Sequence, residues 1–117
     1  MMATNSQIPF NPQGNTVAIT AAVVPPLGVQ VPIRGSQTLT RGQYRIVNAG
    51  ENPVHLGVGA TALLAQTNAV AATSGNPAAG IPLLPGAVEI LRFSGDVFFS
   101  GAASADTTIY LTQGEGL

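Results

Sequence analysis

The sequence predicts an all-β chain: an antiparallel β-sandwich of jelly-roll-like form with an extended N-terminal arm. Three observations carry this expectation. Short runs of β-branched and apolar residues recur along the chain, turn residues separate them at roughly 8 to 12-residue intervals, and several runs alternate apolar with polar side chains. Glycine (14) and proline (9) are distributed throughout the 117 residues rather than gathered in one linker. That is the punctuation of strands and turns.

Residues 1–15 hold Pro9, Pro12, Gly14 and five Asn or Gln, with only Ile8 and Phe10 as sizeable apolar groups after the two initial methionines. Such a segment cannot bury enough surface to fold alone and reads as an extended arm. The domain proper is then 16–117. Strands are predicted at 16–24, 28–33, 37–40, 43–49, 53–59, 81–84, 87–93, 96–100 and 107–113. In Tyr44-Arg45-Ile46-Val47-Asn48 the Arg and Asn are expected at wet positions, and in 108–112 Ile109 and Leu111 share one face. Val88, Ile90 and Arg92 alternate with Glu89, Leu91 and Phe93, while Val97-Phe98-Phe99 is apolar on both sides, as in a strand covered on both faces.

The turns are chemically specified. Asn48-Ala49-Gly50-Glu51-Asn52-Pro53 reads as a hairpin loop, Leu84-Pro85-Gly86-Ala87 as a Pro-Gly turn and Ser94-Gly95-Asp96 as a third turn. Ala60 to Ala72 is rich in Ala and Leu, and is either a short helix or a long surface loop. No repeat at a solenoid period is present.

Charge is sparse. Four arginines and five acids are the only ionised side chains and lysine is absent, against about a quarter of residues in a typical soluble domain. Such a surface is either solvated by Thr, Asn, Gln and Ser or covered in an assembly, and assembly fits it better. Arg34, Arg41 and Arg45 give residues 1–50 a formal +3, while Arg92 against five acids gives 51–117 a formal −4. Opposite halves of neighbouring subunits are therefore expected to meet. Three arginines fall short of a nucleic-acid footprint, which needs clustered cations and stacking aromatics. The first apolar run, Thr16 to Val24, stops at Pro25-Pro26 and is shorter than the roughly 20 residues of a membrane span. It follows a segment with no Lys or Arg, so no signal peptide is expected and synthesis in a cytoplasm is.

Residues for chemistry are scarce. Cysteine is absent and His55 is the single histidine, so neither a thiolate nor a two-histidine metal site is available within one chain, and no cofactor is expected. A Ser-His-Asp set from His55 with Asp96 or Asp106 is formally open, but no Gly-x-Ser-x-Gly elbow accompanies it. His55 falls on the polar phase of a strand. Gly57-Val58-Gly59 echoes a dinucleotide fingerprint without its third glycine or a following acid, and a strand ending in a glycine-permitted bend accounts for it. Paired carboxylates from Glu89, Asp96 and Asp106 lack the aromatic cleft of a glycosidase, in a chain with no tryptophan. Of Phe98 and Phe99, adjacent on a strand, one is expected in the core and the other against a partner, with Phe99 taken as the interface member.

Gly80-Ile81-Pro82-Leu83-Leu84-Pro85-Gly86-Ala87-Val88-Glu89-Ile90-Leu91 and Thr107-Thr108-Ile109-Tyr110-Leu111-Thr112-Gln113-Gly114-Glu115-Gly116 carry a resemblance. With Ile46 to Gly50 and Val54 to Gly59, they resemble small structural proteins of tailed bacteriophages, most nearly the capsid decoration, or cement, proteins built on a jelly-roll-like sandwich. The resemblance covers residues 44–116 and consists of strand and turn patterns. It implies a homo-oligomer, dimer or trimer, on the outside of a virion capsid, clamping neighbouring major capsid proteins against internal DNA pressure.

The expected interface residues are Ile8 and Phe10 as arm anchors, Arg34, Arg41 and Arg45 as cations facing acids, and Phe99. The expected partners are the major capsid protein and further copies of the chain, with no nucleic acid and no membrane. A phage tail or receptor-binding, carbohydrate-binding sandwich is the alternative. A cupin-like enzyme is a third reading, disfavoured by the single histidine.

Overall fold

The computed structural model describes residues 10–12, 15–31, 41–94 and 97–115. Among them are β1 (Asn11–Pro12), β2 (Val17–Ala21), β3 (Val29–Gln30), β4 (Arg41–Asn48), β5 (Val54–Gly59), α1 (Ala62–Asn68), β6 (Ile81–Leu83), β7 (Val88–Ser94), β8 (Phe98–Ala103) and β9 (Thr107–Glu115). The predicted strand at 37–40 and the centre of the predicted turn at 94–96 lie outside the described residues.

The strands pair antiparallel in two sheets. In the first, β9 takes β2 and β1 on one edge and β4 on the other, and β7 follows β4; the second has the order β3-β8-β5-β6. Counted from β2, the first sheet holds the first, eighth, third and sixth strands, and the second sheet the second, seventh, fourth and fifth. This is jelly-roll winding, in which successive strands cross between layers and each sheet is completed by segments distant in sequence.

Alternation sets the facing surfaces. Tyr44 and Ile46 of β4, Ile109 and Leu111 of β9, and Ile19 and Ala21 of β2 point inward from the first sheet; Val54, Leu56, Leu83, Phe99 and Ala103 meet them from the second. Tyr44, Phe93 and Phe99 join the layers, the Tyr44 and Phe99 rings edge-on at 5.1 Å and the Phe93 and Phe99 rings at 5.7 Å. Gly101 lies in the same layer, where an added Cβ would come within 2.9 Å of the Ala21 Cβ.

Two expectations change here. Asn48 is fully buried, because it shares the inward phase of β4 with Tyr44 and Ile46. Its amide is satisfied there: Nδ2 donates to the carbonyls of Asn52 (2.9 Å) and Leu83 (3.0 Å), and Oδ1 accepts from the Gly50 N–H (3.0 Å). The segment after it is no hairpin, since β4 and β5 belong to different sheets. Each run has a buried apolar face, and two such faces meet across a core as readily as they pair side by side. Asn48 fixes the crossing by tying the connection to β6. Asn48→Ala is expected to cost about 3 kcal/mol, because two carbonyls and one N–H lose their partner. The check is a lower urea midpoint at unchanged slope.

The Pro85-Gly86 turn is as predicted: the Ala87 N–H donates to the Leu84 carbonyl (2.9 Å) and Gly86 has φ +80, the geometry of a type II turn. It too links the sheets. Residues 62–68 resolve as helix. Thr61 caps it, its Oγ1 accepting from the Leu64 N–H at 3.1 Å, which satisfies one of the free donors at the helix start.

The helix sits on the outside of the second sheet, over β5 and β8. Gly57 and Gly59 have no positive φ, so they are clearance rather than a bend. A Cβ at Gly57 would strike the Ala65 carbonyl and come within 2.7 Å of the Ala69 Cβ, and one at Gly59 would lie 2.8 Å from the Ala65 nitrogen. Asn68 Nδ2 adds a bond to the Val58 carbonyl at 2.8 Å.

Candidate interaction surfaces

A recess beside the second sheet brings the single histidine and a serine into one lining. Its volume is about 340 Å³, and it is lined by Pro53, His55, Ala71, Ala102, Ala103 and Ser104. It offers one imidazole and one hydroxyl, with no carboxylate in its lining. His55 sits under the chain that returns from α1, where a Cβ at Gly80 would lie 3.1 Å from the His55 Cβ. The His55 Nδ1 is buried without a hydrogen-bond partner. No group of three or more His, Cys, Asp or Glu able to hold a metal occurs among the described residues. No helix among them is long and apolar enough to cross a membrane.

Among the described residues, no element packs over the outer face of the first sheet. Register places Ala18, Tyr110, Val47 and Val88 in one row across β2, β9, β4 and β7, and Thr112, Arg45 and Ile90 in the next. Tyr110, Val88 and Ile90 are each more than two-fifths exposed. Thr16 and Thr112 extend the second row with a hydroxyl–hydroxyl bond of 2.7 Å. Arg45 and Arg92 are also exposed, so this face mixes apolar contact area with positive charge.

The opposite broad side is different in kind. Residues 23–28 lie along α1: the Gly28 N–H donates to the Ala62 carbonyl (2.9 Å), Gln66 Nε2 donates to the Pro25 carbonyl (2.8 Å), and the Ser100 hydroxyl donates to the Pro26 carbonyl. Together they cover the second sheet. Their outer surface leaves Val23 71 %, Val24 78 %, Leu27 58 % and Leu63 64 % exposed, with Leu64 and Val70 close to half. No Asp, Glu, Lys or Arg occurs in residues 1–33 or 52–88. The layer is therefore charge-free as well as apolar.

The predicted interface residues separate. Arg45 stands at the centre of the outer face of the first sheet. Arg41 opens β4, its Cα paired with Ser94, and its side chain is outside the described residues, as are Ile8 and Arg34 altogether. Phe10 is half-buried, and Asn11 and Pro12 after it pair with Glu115 and Gly114 of their own chain. This part of the arm is an edge strand of its own sheet. Phe99 is corrected: it is wholly buried between the sheets, and its neighbour Phe98 is the member on the outer side.

Tyr110, Ile90 and the residues of the α1 layer were not anticipated as interface candidates. The gap in charge from 52 to 88 was the available signal. No protein family, curated protein or solved structure matches this chain.

Proposed function

We propose that this protein is a structural component of a phage virion, which decorates the capsid exterior and stabilises it by clamping neighbouring major capsid proteins. The observation that carries the reading is a rigid jelly roll with exposed large apolar side chains on both broad faces, where a freely solvated protein keeps large apolar patches few. The resemblance over residues 44–116 gives the reading its phage context. The face of the first sheet suits the capsid contact, since Tyr110 and Ile90 supply apolar area and Arg45 and Arg92 supply charge that selects an acidic counterpart.

Carbohydrate binding is less well served. Tyr44, Phe93 and Phe99 pack on one another in the core, which leaves Tyr110 as the only well-exposed aromatic among the described residues. A sugar platform would use several.

The test is cosedimentation with purified capsids, together with mass-spectrometric copy counting in native particles. Hundreds of copies per particle are expected; a handful would indicate a tail component, and absence from particles would end the virion reading. Arg45→Glu is expected to lower capsid affinity by on the order of 10-fold, and salt near 1 M, where screening acts over about 3 Å, to release the protein. Salt-independent retention would move the contact to a purely apolar surface.

A further inference from the structure

From the α1 layer we infer a homotypic site: two copies of this chain associate face to face through residues 23–28 and α1. The inference deepens the assembly reading above by naming the self-contact, and it rests on the exposed surface rather than on the capsid.

The first argument is area. Val23, Val24, Leu27, Leu63, Leu64 and Val70 are the exposed large apolar residues of this side. With on the order of 100 Å² accessible on each, they sum to roughly 600 Å² of exposed apolar surface, as much as the largest single patch of a typical monomer. Two such surfaces in contact remove roughly 1,200 Å² from water, the lower bound of a standard stable interface.

The second argument is charge, and it selects the occupant. In a two-fold contact the same patch faces itself, so any ionised residue near the axis meets its own copy at close range. This layer has none. The described charged side chains, Arg45, Glu51, Glu89, Arg92 and Asp106, all lie on strands of the first sheet or in connections to it. A face shaped for an unlike, charged partner would instead present charge to be matched, as the first sheet does.

The third argument is rigidity. The layer is fastened by the Gly28–Ala62, Gln66–Pro25 and Asn68–Val58 hydrogen bonds and by the fit of α1 over Gly57 and Gly59. The surface is ordered before a partner arrives, which limits the entropy lost on contact.

Sedimentation velocity over a concentration series of the purified full chain tests this. The wild type is expected as a dimer at micromolar concentration. Leu63→Glu, on the exposed side of α1, is expected to weaken dimerisation by at least about 30-fold, as loss of a central contact does. Ile90→Glu, on the opposite face, is expected to leave it unchanged, with circular dichroism confirming that both variants fold. A wild-type monomer at 100-fold higher concentration, a trimer, or a dimer that Ile90→Glu breaks and Leu63→Glu does not, would overturn the inference. A monomeric wild type that still decorates capsids would overturn it while leaving the virion reading intact.

Discussion

Gly57→Ala is expected to detach α1 from the sheet. The methyl would point into the Ala65 carbonyl and lie 2.5 Å from the Ala69 nitrogen. Both are backbone atoms of the helix and its cap, with no rotamer to yield. Either β5 bends or the helix rises, and the helix is held by fewer contacts. Overpacking of this kind costs about 3 kcal/mol. The measurement is hydrogen exchange: amides of 62–69 should lose protection while those of β4 and β9 keep theirs, with a lowered urea midpoint. Gly75→Ala separates space from conformation, since nothing lies within 4 Å of its added Cβ but its φ is +80. It is expected to cost only about 1 kcal/mol. Equal effects at the two positions would refute the clearance role of Gly57.

Phe99→Ala is expected to be the most destabilising single truncation, at about 4 kcal/mol. Its ring is fully buried and touches both other core aromatics, one from β4 and one from β7. Removal leaves a cavity between the sheets and dissolves two edge-on contacts. For a domain whose whole stability is about 5 to 15 kcal/mol, that loss places the variant near its threshold. Phe98→Ala, on the outer side of the same strand, should cost less than half as much. Thermal unfolding of the two variants checks the order, and a reversal would mean that the faces of β8 are assigned the wrong way round.

The strands were legible because the inward phase is nearly pure. Tyr44 and Ile46, Ile109 and Leu111, and Val54 and Leu56 announce their faces by spacing alone. The Pro85-Gly86 turn was legible because a type II turn demands that pair. What spacing does not encode is which neighbour a strand takes, so the connection at 48–53 looked like a hairpin and is a crossing. Asn48 misled for a related reason. A polar residue on the inward phase looks wet until its partners are known; Gly50 and Asn52 lie in the connection that follows Asn48, but Leu83 is 35 residues away.

The interface residues were the least legible. Leu63 and Leu64 are apolar yet exposed, so α1 has no clean amphipathic stripe, and its helical state depends on two glycines in another element. Phe98 and Phe99 have the same chemistry. Only the direction of the pleat, set by the pairing of β8 with β5, decides which of them faces the core.

The central place of β9 has a consequence for how the molecule comes into being. Its partners on either side are β2 and β4, and Thr16 and Thr112 touch across a separation of 96 residues. The first sheet therefore has no native centre until residues 107–115 have left the ribosome, and the earlier strands wait with their apolar faces uncovered. Non-local pairing of this kind folds in milliseconds to seconds rather than microseconds. The first sheet is drawn together by β9 as a drawstring closes a bag, and a copy interrupted before residue 107 would retain little of the fold to release to an assembly.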